Sequence, residues 1–304
     1  MIVSFDIGGS AIKGGIVRSQ SDIRALDRRP TPKDNLAEFI AALRTVTDQA
    51  EEPFTRLSLS LAGVVDPDTR RIICANIPCI NGRDLIADLE AEFSVPVMIA
   101  NDADCFAMAE AEVGAGKGHR IVFGIILGTG VGGGLVSDGR LVNAAGGFAG
   151  EWGHGPAAAL RAGHPPVELA HFKCGCGQSG CIDTVGGARG LERIHMTLHG
   201  QDLTSEDIIA AWQVGDPEAV RTIDVYIDLV ASPLAVCVNM TGATIVPAGG
   251  GLANVKALMA ELDVAVRNRI LRQFDRPLVV QSQCTLEPGL IGASLLGLKA
   301  ETQR

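Results

Sequence analysis

Residues 2–18 are IVSFDIGGSAIKGGIVR, an apolar run ending near an aspartate, then Gly8-Gly9-Ser10, then a second apolar run. Short apolar runs bounded by glycines are typical of buried strands, and a glycine turn joining two of them predicts a β-hairpin, here with strands over 2–7 and 14–18. Residues 121–137, IVFGIILGTGVGGGLVS, repeat the order of strand, glycine turn and strand. The repeat predicts a duplicated α/β architecture.

Strand and helix patterns alternate after each hairpin. In the first half we predict a helix opened by Thr31-Pro32, a strand over 57–61, a helix over 85–93, a strand over 95–100 and a helix over 103–113. In the second half we predict helices over 186–199, 204–214 and 216–240, a strand over 243–246 and a last helix over 289–300. Pro233 should kink or split the longest helix.

The chain has 304 residues, which exceeds the usual size of one domain. We expect a smaller lobe formed by residues 1–118 with about 286–304, and a larger lobe over 119–285. The stretch Lys117-Gly118-His119 is the expected crossing between them.

The net charge is −9, and no basic tail or stripe offsets it. Nucleic acids and anionic membranes are therefore not expected partners. A nucleotide is compatible with this charge, because Mg²⁺ and backbone N–H groups can neutralise its phosphates. We also expect no signal peptide, since Met1–Asp6 leads directly into a strand, and no apolar run of transmembrane length. These expectations favour a cytoplasmic protein.

Three of the eight cysteines lie within CGCGQSGC, residues 174–181, and the other five are scattered singly. Scattered cysteines indicate free thiols in a reducing compartment. Cys174, Cys176 and Cys181 can present three sulfurs to one ion, and tetrahedral Zn²⁺ needs a fourth ligand, usually a histidine. His171 and His154 both remain candidates at this point. Four protein ligands would make the ion structural.

Glycine clusters follow three predicted strands, at Gly8-Gly9, Gly128–Gly134 and Gly249–Gly251. Backbone free of Cβ atoms can bring several N–H groups to one phosphate. Neither hairpin matches the P-loop or the dinucleotide fingerprint. The alternative is tight turns without a ligand, which three such clusters make the weaker interpretation.

Asn101-Asp102 stands at the end of a strand and the start of a helix. Asp102 could accept a hydroxyl proton during phosphoryl transfer, or either residue could simply cap the helix. Asp104 is expected to be a solvated charge, His164 a loop residue, and His195 with His199 a solvated helix face.

The chain resembles the ROK family of repressors and sugar kinases over nearly its whole length. The resemblance rests on Asp6-Ile-Gly-Gly, on Glu151-Trp-Gly-His154, and on Cys174–Asp183 in the order Cys-x-Cys-Gly-x-x-Gly-Cys-x-Asp. Ala100–Ala107 and Ile126–Gly134 are most similar to the N-acetylglucosamine kinase branch.

The resemblance implies an actin-like, hexokinase-type (ribonuclease H-like) fold of two lobes with ATP between them, and it implies that Asp102 is the catalytic base. It assigns His154, rather than His171, as the fourth zinc ligand beside Cys174, Cys176 and Cys181. It assigns ATP and Mg²⁺ to Asp6, Gly8, Gly9, Ser10, Lys13, Gly128, Thr129, Gly130, Gly249 and Gly250. It assigns the sugar to Gly63, Asn76, Asn101, Asp102, Glu151, His154 and Asp183.

This chain departs from the family pattern in having Asp183 for a glutamate, Ser10 for a threonine and Asp104 for an asparagine. The resemblance implies a homodimeric kinase of the 6-hydroxyl of a hexose, most similar to those acting on N-acetyl-D-glucosamine. Fructokinase, glucokinase and N-acetylmannosamine kinase activities are the alternatives within the family. A sugar-sensing repressor is disfavoured, because Asp6 leaves no room before it for a DNA-binding domain. A catalytically silent sugar binder conflicts with the intact Asp6 and Asp102.

Overall fold

The structure is a computed structural model that describes residues 1–284 and 287–302, with side chains through residue 300. The chain forms two compact units. The first comprises Met1–Lys117, Gly134–Ala149 and the segment from Cys284 onward, and the second comprises Gly118–Gly133 and Gly150–Gln283. The predicted larger lobe, residues 119–285, includes residues 134–149. The lobe boundaries remain a prediction.

Most strands and helices follow the predicted alternation, but the strand predicted over 243–246 lies at Val246–Gly249. The strands are β1 Ile2–Ile7, β2 Ala11–Ser19, β3 Asp22–Ala25, β4 Arg29–Pro30, β5 Leu57–Leu61, β6 Val64–Val65, β7 Ile72–Ile73, β8 Val97–Asn101, β9 Ile121–Leu127, β10 Val131–Ser137, β11 Arg140–Leu141, β12 Arg161–Ala162, β13 Val167–Glu168, β14 Val246–Gly249 and β15 Val279–Gln281. The helices are α1 Leu36–Thr47, α2 Leu85–Phe93, α3 Asp102–Val113, α4 Asp183–Gly186, α5 Ala188–His199, α6 Ser205–Gln213, α7 Pro217–Thr241, α8 Lys256–Arg267 and α9 Pro288–Thr302.

The first sheet has the strand order β3-β2-β1-β5-β8, with β4 also paired to β2. The opening hairpin is antiparallel and pairs Asp6 with Lys13, whereas β5 joins β1, and β8 joins β5, in parallel. Buried apolar residues of β1 and β5 pack against α1 and α2 and form one core, which includes Phe5, Phe39 and Leu59. The sheet therefore combines an antiparallel hairpin with parallel strands that end at one edge.

The second sheet has the order β11-β10-β9-β14-β15, which repeats the succession of the first. As β5 follows β1, so β14 pairs in parallel with β9, and β15 pairs in parallel with β14. The duplicated α/β architecture predicted from the two glycine hairpins is confirmed.

One helix prediction was wrong in detail, and one alternative of a second is excluded. The first helix begins at Leu36 rather than at Thr31-Pro32, because the Asn35 side chain accepts hydrogen bonds from the N–H groups of Ala37 and Glu38 and caps it there. Pro233 does not split α7, which is continuous over 25 residues.

Helix α7 is the one described helix long and apolar enough, by length and composition alone, to cross a membrane, contrary to the expectation that no run reaches that length. Its apolar window is 56% buried inside the protein. Tyr226, near its middle, is fully buried and donates a hydrogen bond to the Gly186 carbonyl at 2.8 Å. These contacts make α7 the central core helix of the second unit.

Two predicted surface positions are buried. Asp104 is 3% exposed, because the Asn143 amide, far away in sequence, donates to its carboxylate at 3.1 Å. His195 is 1% exposed, because its Nδ1 lies 2.8 Å from the Thr222 hydroxyl of α7. The sequence prediction treated both as solvated because their partners lie on other elements. His164 is exposed, as expected.

Candidate active site

The carboxyl ends of β1, β5 and β8 meet at one edge of the first sheet. Asp6 is in register with Ser60, and Leu61 is in register with Asn101. Parallel strands bring the residues after their carboxyl ends to the same edge, which is where α/β sheets bind ligands. The fold thus collects Asp6, Gly63, Asn101 and Asp102 from distant parts of the sequence.

Asp6 is a half-buried carboxylate with several polar neighbours. The Ser60 hydroxyl donates to its Oδ1 at 3.0 Å, and the Lys13 ammonium lies 3.7 Å from its Oδ2. Burial raises the pKa of Asp6, and the hydrogen bond from Ser60 and the charge of Lys13 partly offset this. A nearby cation would favour the ionised form, so the site suits a hydrated divalent metal.

The approach of α9 to Asp6 requires a glycine. A Cβ added at Gly289 would lie 2.3 Å from the Asp6 Oδ1. Lys13 also pairs with Glu287, just before α9. Sequence reasoning missed Ser60, Gly289 and Glu287 because they reach Asp6 only through the packing of the first unit.

The first glycine turn is fixed from two sides. The Gly8 N–H donates to the Ala11 carbonyl at 3.0 Å, and the Thr31 hydroxyl donates to the Gly8 carbonyl at 2.7 Å. A Cβ at Gly9 would lie 3.2 Å from the Asn76 Cβ, so the predicted sugar-binding Asn76 lies against the turn.

Asn101, not Asp102, is the N-cap of α3. The Asn101 Oδ1 accepts from the Ala103 N–H at 2.9 Å, and its Nδ2 donates to the Gly63 carbonyl at 3.1 Å. Asp102 is the first residue of the helix, and its Oδ1 also lies 2.9 Å from the Ala103 nitrogen. Because Asn101 serves as the cap, α3 does not need Asp102 for that role. Helix N-termini stabilise an ionised carboxylate, which is the form a general base needs.

The second and third glycine clusters pack together in the second unit. Gly250 has a φ of 93°, and a Cβ there would lie 2.7 Å from the Gly128 nitrogen. The Gly128 carbonyl accepts from the Ala188 N–H at 2.8 Å, and a Cβ at Gly187 would lie 2.5 Å from the Thr129 carbonyl oxygen. Only glycine permits these approaches, so the two clusters form one close-packed backbone surface, which is exposed at Thr129, Gly250 and Gly251 and suited to phosphate.

Asp183, one of the predicted sugar ligands, contacts the second glycine turn. Its Oδ1 accepts from the Val131 N–H at 2.8 Å, and a Cβ at Gly130 would lie 2.2 Å from that oxygen. The Cys174 sulfur lies 3.6 Å from its Oδ2. The carboxylate therefore connects the cysteine segment with the glycine turn.

A groove of 270 Å³ lies beside these clusters. Ala188 and Gly251 form part of its rim, and Ile209, Leu252 and Val255 provide apolar surface. Ser205, Glu206 and Gln213 of α6 add polar groups. This groove suits a flat aromatic group attached to a phosphate. Sequence reasoning missed it because α6 shows only the ordinary pattern of an amphipathic helix.

The cysteine segment forms a compact group with one histidine. Among the described residues, the ligand atoms of His154, Cys174, Cys176 and Cys181 lie within 4.8 Å of one another. Cys174 Sγ is 3.7 Å from His154 Nδ1, and Cys176 Sγ is 3.6 Å from Cys181 Sγ. Tetrahedral zinc–sulfur bonds of 2.3 Å place neighbouring sulfurs about 3.8 Å apart, so the group fits Zn²⁺.

The thiols of this segment differ in acidity. Burial raises the pKa of Cys174 to about 12, whereas a hydrogen bond from the Gln178 backbone N–H lowers the pKa of Cys176 to about 7. Because a thiol must lose its proton to bind metal, metal binding here should release protons.

The two ring nitrogens of His154 face different groups. Nδ1 faces the Cys174 sulfur, and Nε2 lies 3.8 Å from a carboxylate oxygen of Glu151. Burial raises the pKa of Glu151, and the nearby His154 partly opposes this rise. His171, the alternative ligand, instead places its Nε2 2.8 Å from the Ala158 carbonyl.

Two sheets of repeated strand order, each with a glycine turn after its first strand, define the actin-like ATPase class of folds. The chain belongs to the ROK family, whose profile matches residues 2–300. It is an ATP-dependent sugar kinase.

The chain is 34% identical over 301 residues to an N-acetylgalactosamine kinase of Shewanella sp. (strain ANA-3), covering 98% of this chain and 96% of that protein. It is 32% identical over 302 residues to an N-acetyl-D-glucosamine kinase of Vibrio vulnificus (strain YJ016), covering 98% and 100%. The crystal structure of a ROK hexokinase from Thermus thermophilus superposes with a TM-score of 0.84 at 27% identity, covering 100% and 99% of the two chains.

Proposed function

We propose that this sugar kinase transfers the γ-phosphoryl group of ATP to the 6-hydroxyl of N-acetyl-D-glucosamine. The observation that carries the proposal is Asp102, the first residue of α3, at the sheet edge that also holds Asp6, Gly63 and Asn101. Full-length relatives named for that substrate support the choice of sugar.

In this proposal Asp102 accepts the hydroxyl proton as that oxygen attacks phosphorus. Phosphoryl transfer asks mainly for positioning and charge neutralisation. A well-placed base adds removal of the hydroxyl proton as that oxygen attacks. Mg²⁺ near Asp6, when bound, would neutralise charge on the phosphate oxygens. Lys13, Ser10 and the turn at Gly8-Gly9 would hold phosphates from the first unit.

Gly128, Thr129 and Gly130 would form the phosphate-binding turn. Its donors would be the Thr129 and Gly130 N–H groups and the Thr129 hydroxyl, since the Gly128 N–H donates to the Gly130 carbonyl at 3.0 Å. The adenosine would lie along Gly249-Gly250 and in the adjoining groove, where Ile209 and Leu252 offer apolar contact. Exclusion of water from the reacting groups would limit ATP hydrolysis.

The sugar hydroxyls would contact the residues predicted for that role, namely Gly63, Asn76, Asn101, Asp102, Glu151, His154 and Asp183. Zn²⁺ bound by His154 and the three cysteines would be structural and would orient the other ring nitrogen of His154 toward the sugar. The contact between that nitrogen and Glu151 supports this orientation.

A cytoplasmic homodimer remains our prediction for location and assembly. The second candidate substrate is N-acetyl-D-galactosamine, which the relative at 34% identity favours. Asp183 bears on the choice between the two sugars. Its carboxylate accepts a hydrogen bond from the Val131 N–H, and its side chain is one methylene shorter than that of a glutamate.

The test is an ADP-release assay with Mg-ATP over N-acetylglucosamine, N-acetylgalactosamine, N-acetylmannosamine, glucose and fructose. We expect the highest kcat/KM with N-acetylglucosamine. A higher value with N-acetylgalactosamine would select the second candidate, and a preference for glucose or fructose would refute both.

A further inference from the structure

The chain leaves or re-enters the first unit at four places, namely after Lys117, before Gly134, after Ala149 and before Cys284. The residues on the first-unit side of these places are linked to helix α3, three of them by direct contact and Ala149 through Asn143. This helix begins with Asp102.

Glu110, in the last turn of α3, contacts two of the four places. It is fully buried, at 0% exposure. Its Oε2 accepts from the Ala115 N–H at 2.8 Å, and its Oε1 accepts from the Cys284 N–H at 2.7 Å. One carboxylate therefore joins segments that are 169 residues apart in the sequence.

The other two places are also linked to α3, Gly134 directly and Ala149 through Asn143. A Cβ at Gly134 would lie 2.7 Å from the Ala103 carbonyl oxygen and 2.8 Å from the Asp104 Cα. Asn143 donates to Asp104 at 3.1 Å and to the Ala149 carbonyl at 2.7 Å, and its Oδ1 accepts from the Ala149 N–H at 3.1 Å.

A buried carboxylate at the position of Glu110 destabilises the fold unless hydrogen bonds offset the cost. The C-terminal end of a helix repels an anion, and α3 has no basic residue in its last turn. Burying a carboxylate also costs free energy unless it is hydrogen-bonded. Charge-assisted bonds from two backbone N–H groups are strong enough to hold such a group.

We propose that Glu110 is a positioning residue for phosphoryl transfer. By fixing Ala115 and Cys284 to the end of α3, it sets the orientation of the helix whose first residue is Asp102. The proposal rests on the proposed function, in which Asp102 is the base. Small displacements of a catalytic group lower kcat strongly. Five of the seven proposed sugar contacts lie outside α3 and its cap, namely Gly63, Asn76, Glu151, His154 and Asp183.

The test is Glu110→Gln. An amide has one acceptor oxygen, and its NH₂ group cannot accept from the second N–H. We expect kcat to fall about tenfold to a hundredfold, while the Kd for the sugar, measured by calorimetry, stays unchanged. We also expect sugar-independent ATP hydrolysis to rise relative to sugar phosphorylation.

Glu112→Gln is the matched control, because Glu112 lies on the same helix and pairs with Lys299 instead of a chain crossing. It should keep the wild-type kcat. A folded Glu110→Gln protein with the wild-type kcat would overturn the proposal, and so would equal losses of kcat in the two variants.

If Glu110→Gln does not fold, amide hydrogen exchange of the wild-type protein tests whether Glu110 anchors Ala115 and Cys284. The Ala115 and Cys284 amides should be protected together, and exchange of either at the rate of an open chain would refute the anchoring. If the wild-type protein phosphorylates no sugar, the proposed function fails, and the exchange measurement still tests the contacts of Glu110.

Discussion

At the scale of single residues, the adjacent Asn101 and Asp102 have different roles at the start of α3. Asn101 caps α3 and also binds the Gly63 carbonyl, so the helix start does not depend on Asp102. A substitution at Asp102 can therefore be interpreted through its chemistry rather than through loss of the helix.

Asp102→Asn should lower kcat by about 10²- to 10⁴-fold, since an amide cannot accept the hydroxyl proton. The sugar Kd should change little, because the side chain keeps its size and one acceptor oxygen. Steady-state kinetics and calorimetric sugar binding measure the two effects. Asp84→Asn, which alters the N-cap of α2, is the control, and near wild-type turnover of Asp102→Asn would reject the assigned base.

At the scale of elements, α5 carries two neighbouring imidazoles, of which His195 is buried and His199 half-buried. The rings of His195 and His199 are 4.9 Å apart, and among the described residues the buried Nε2 atom of each has no hydrogen-bond partner. Burial, and then the proximity of His199, lower the pKa of His195, while Gln201, Glu218 and Asp216 act weakly in the opposite direction.

This pair predicts a loss of stability in acid. Above pH about 6.5 His195 is neutral in both the folded and the unfolded state, so it adds no pH dependence. Below that pH the unfolded state binds a proton that the folded state does not. The free energy of unfolding should then fall by up to about 1.4 kcal/mol per pH unit until the folded-state pKa is reached.

Urea unfolding between pH 8 and pH 5 measures this dependence. His195→Gln should flatten the slope below pH about 6.5, the ordinary pKa of histidine. An unchanged slope in that variant would mean that other groups cause the acid sensitivity.

At the scale of the whole molecule, all four candidate zinc ligands belong to the second unit. Removing the ion should therefore lower the thermal stability of that unit and leave the first unit nearly unaffected. Cys176→Ser removes one donor from the exposed side of the group.

We expect Cys176→Ser to lose zinc and to weaken sugar binding together, because His154 would lose its orientation. Elemental analysis, calorimetric unfolding and sugar titration provide the three measurements. Cys237→Ser, a change at a cysteine outside the group, is the control. Normal sugar affinity in a zinc-free protein would show that sugar binding does not depend on the metal.

Much of the fold could be predicted because its signals are local. Alternation and glycine turns predicted β1, β5, β9 and the duplicated plan, and helical spacing predicted α2 and α6. The metal group was predicted as well, since three of its ligands lie within eight residues.

What could not be predicted depends on contacts between distant segments. The burial of Asp104 needs Asn143, and the burial of His195 needs Thr222. The start of α1 was misplaced because Asn35 competes with Pro32 as a start signal, and the capping bonds favour Asn35. The hydrogen bond from the Val131 N–H to the Asp183 carboxylate could not be predicted either, since folding alone brings these two distant residues together.

The interrupted first unit has a consequence for synthesis on the ribosome. Its sheet and α3 pack against α9, and a Cβ at Gly292 would lie only 1.9 Å from the Cys105 carbonyl oxygen. Translation thus delivers every residue of the second unit before the last helix of the first. Although it is synthesised first, the N-terminal part of this unit cannot complete its packing until α9 has been synthesised. A truncation that removes α9 would therefore harm the residues made earliest.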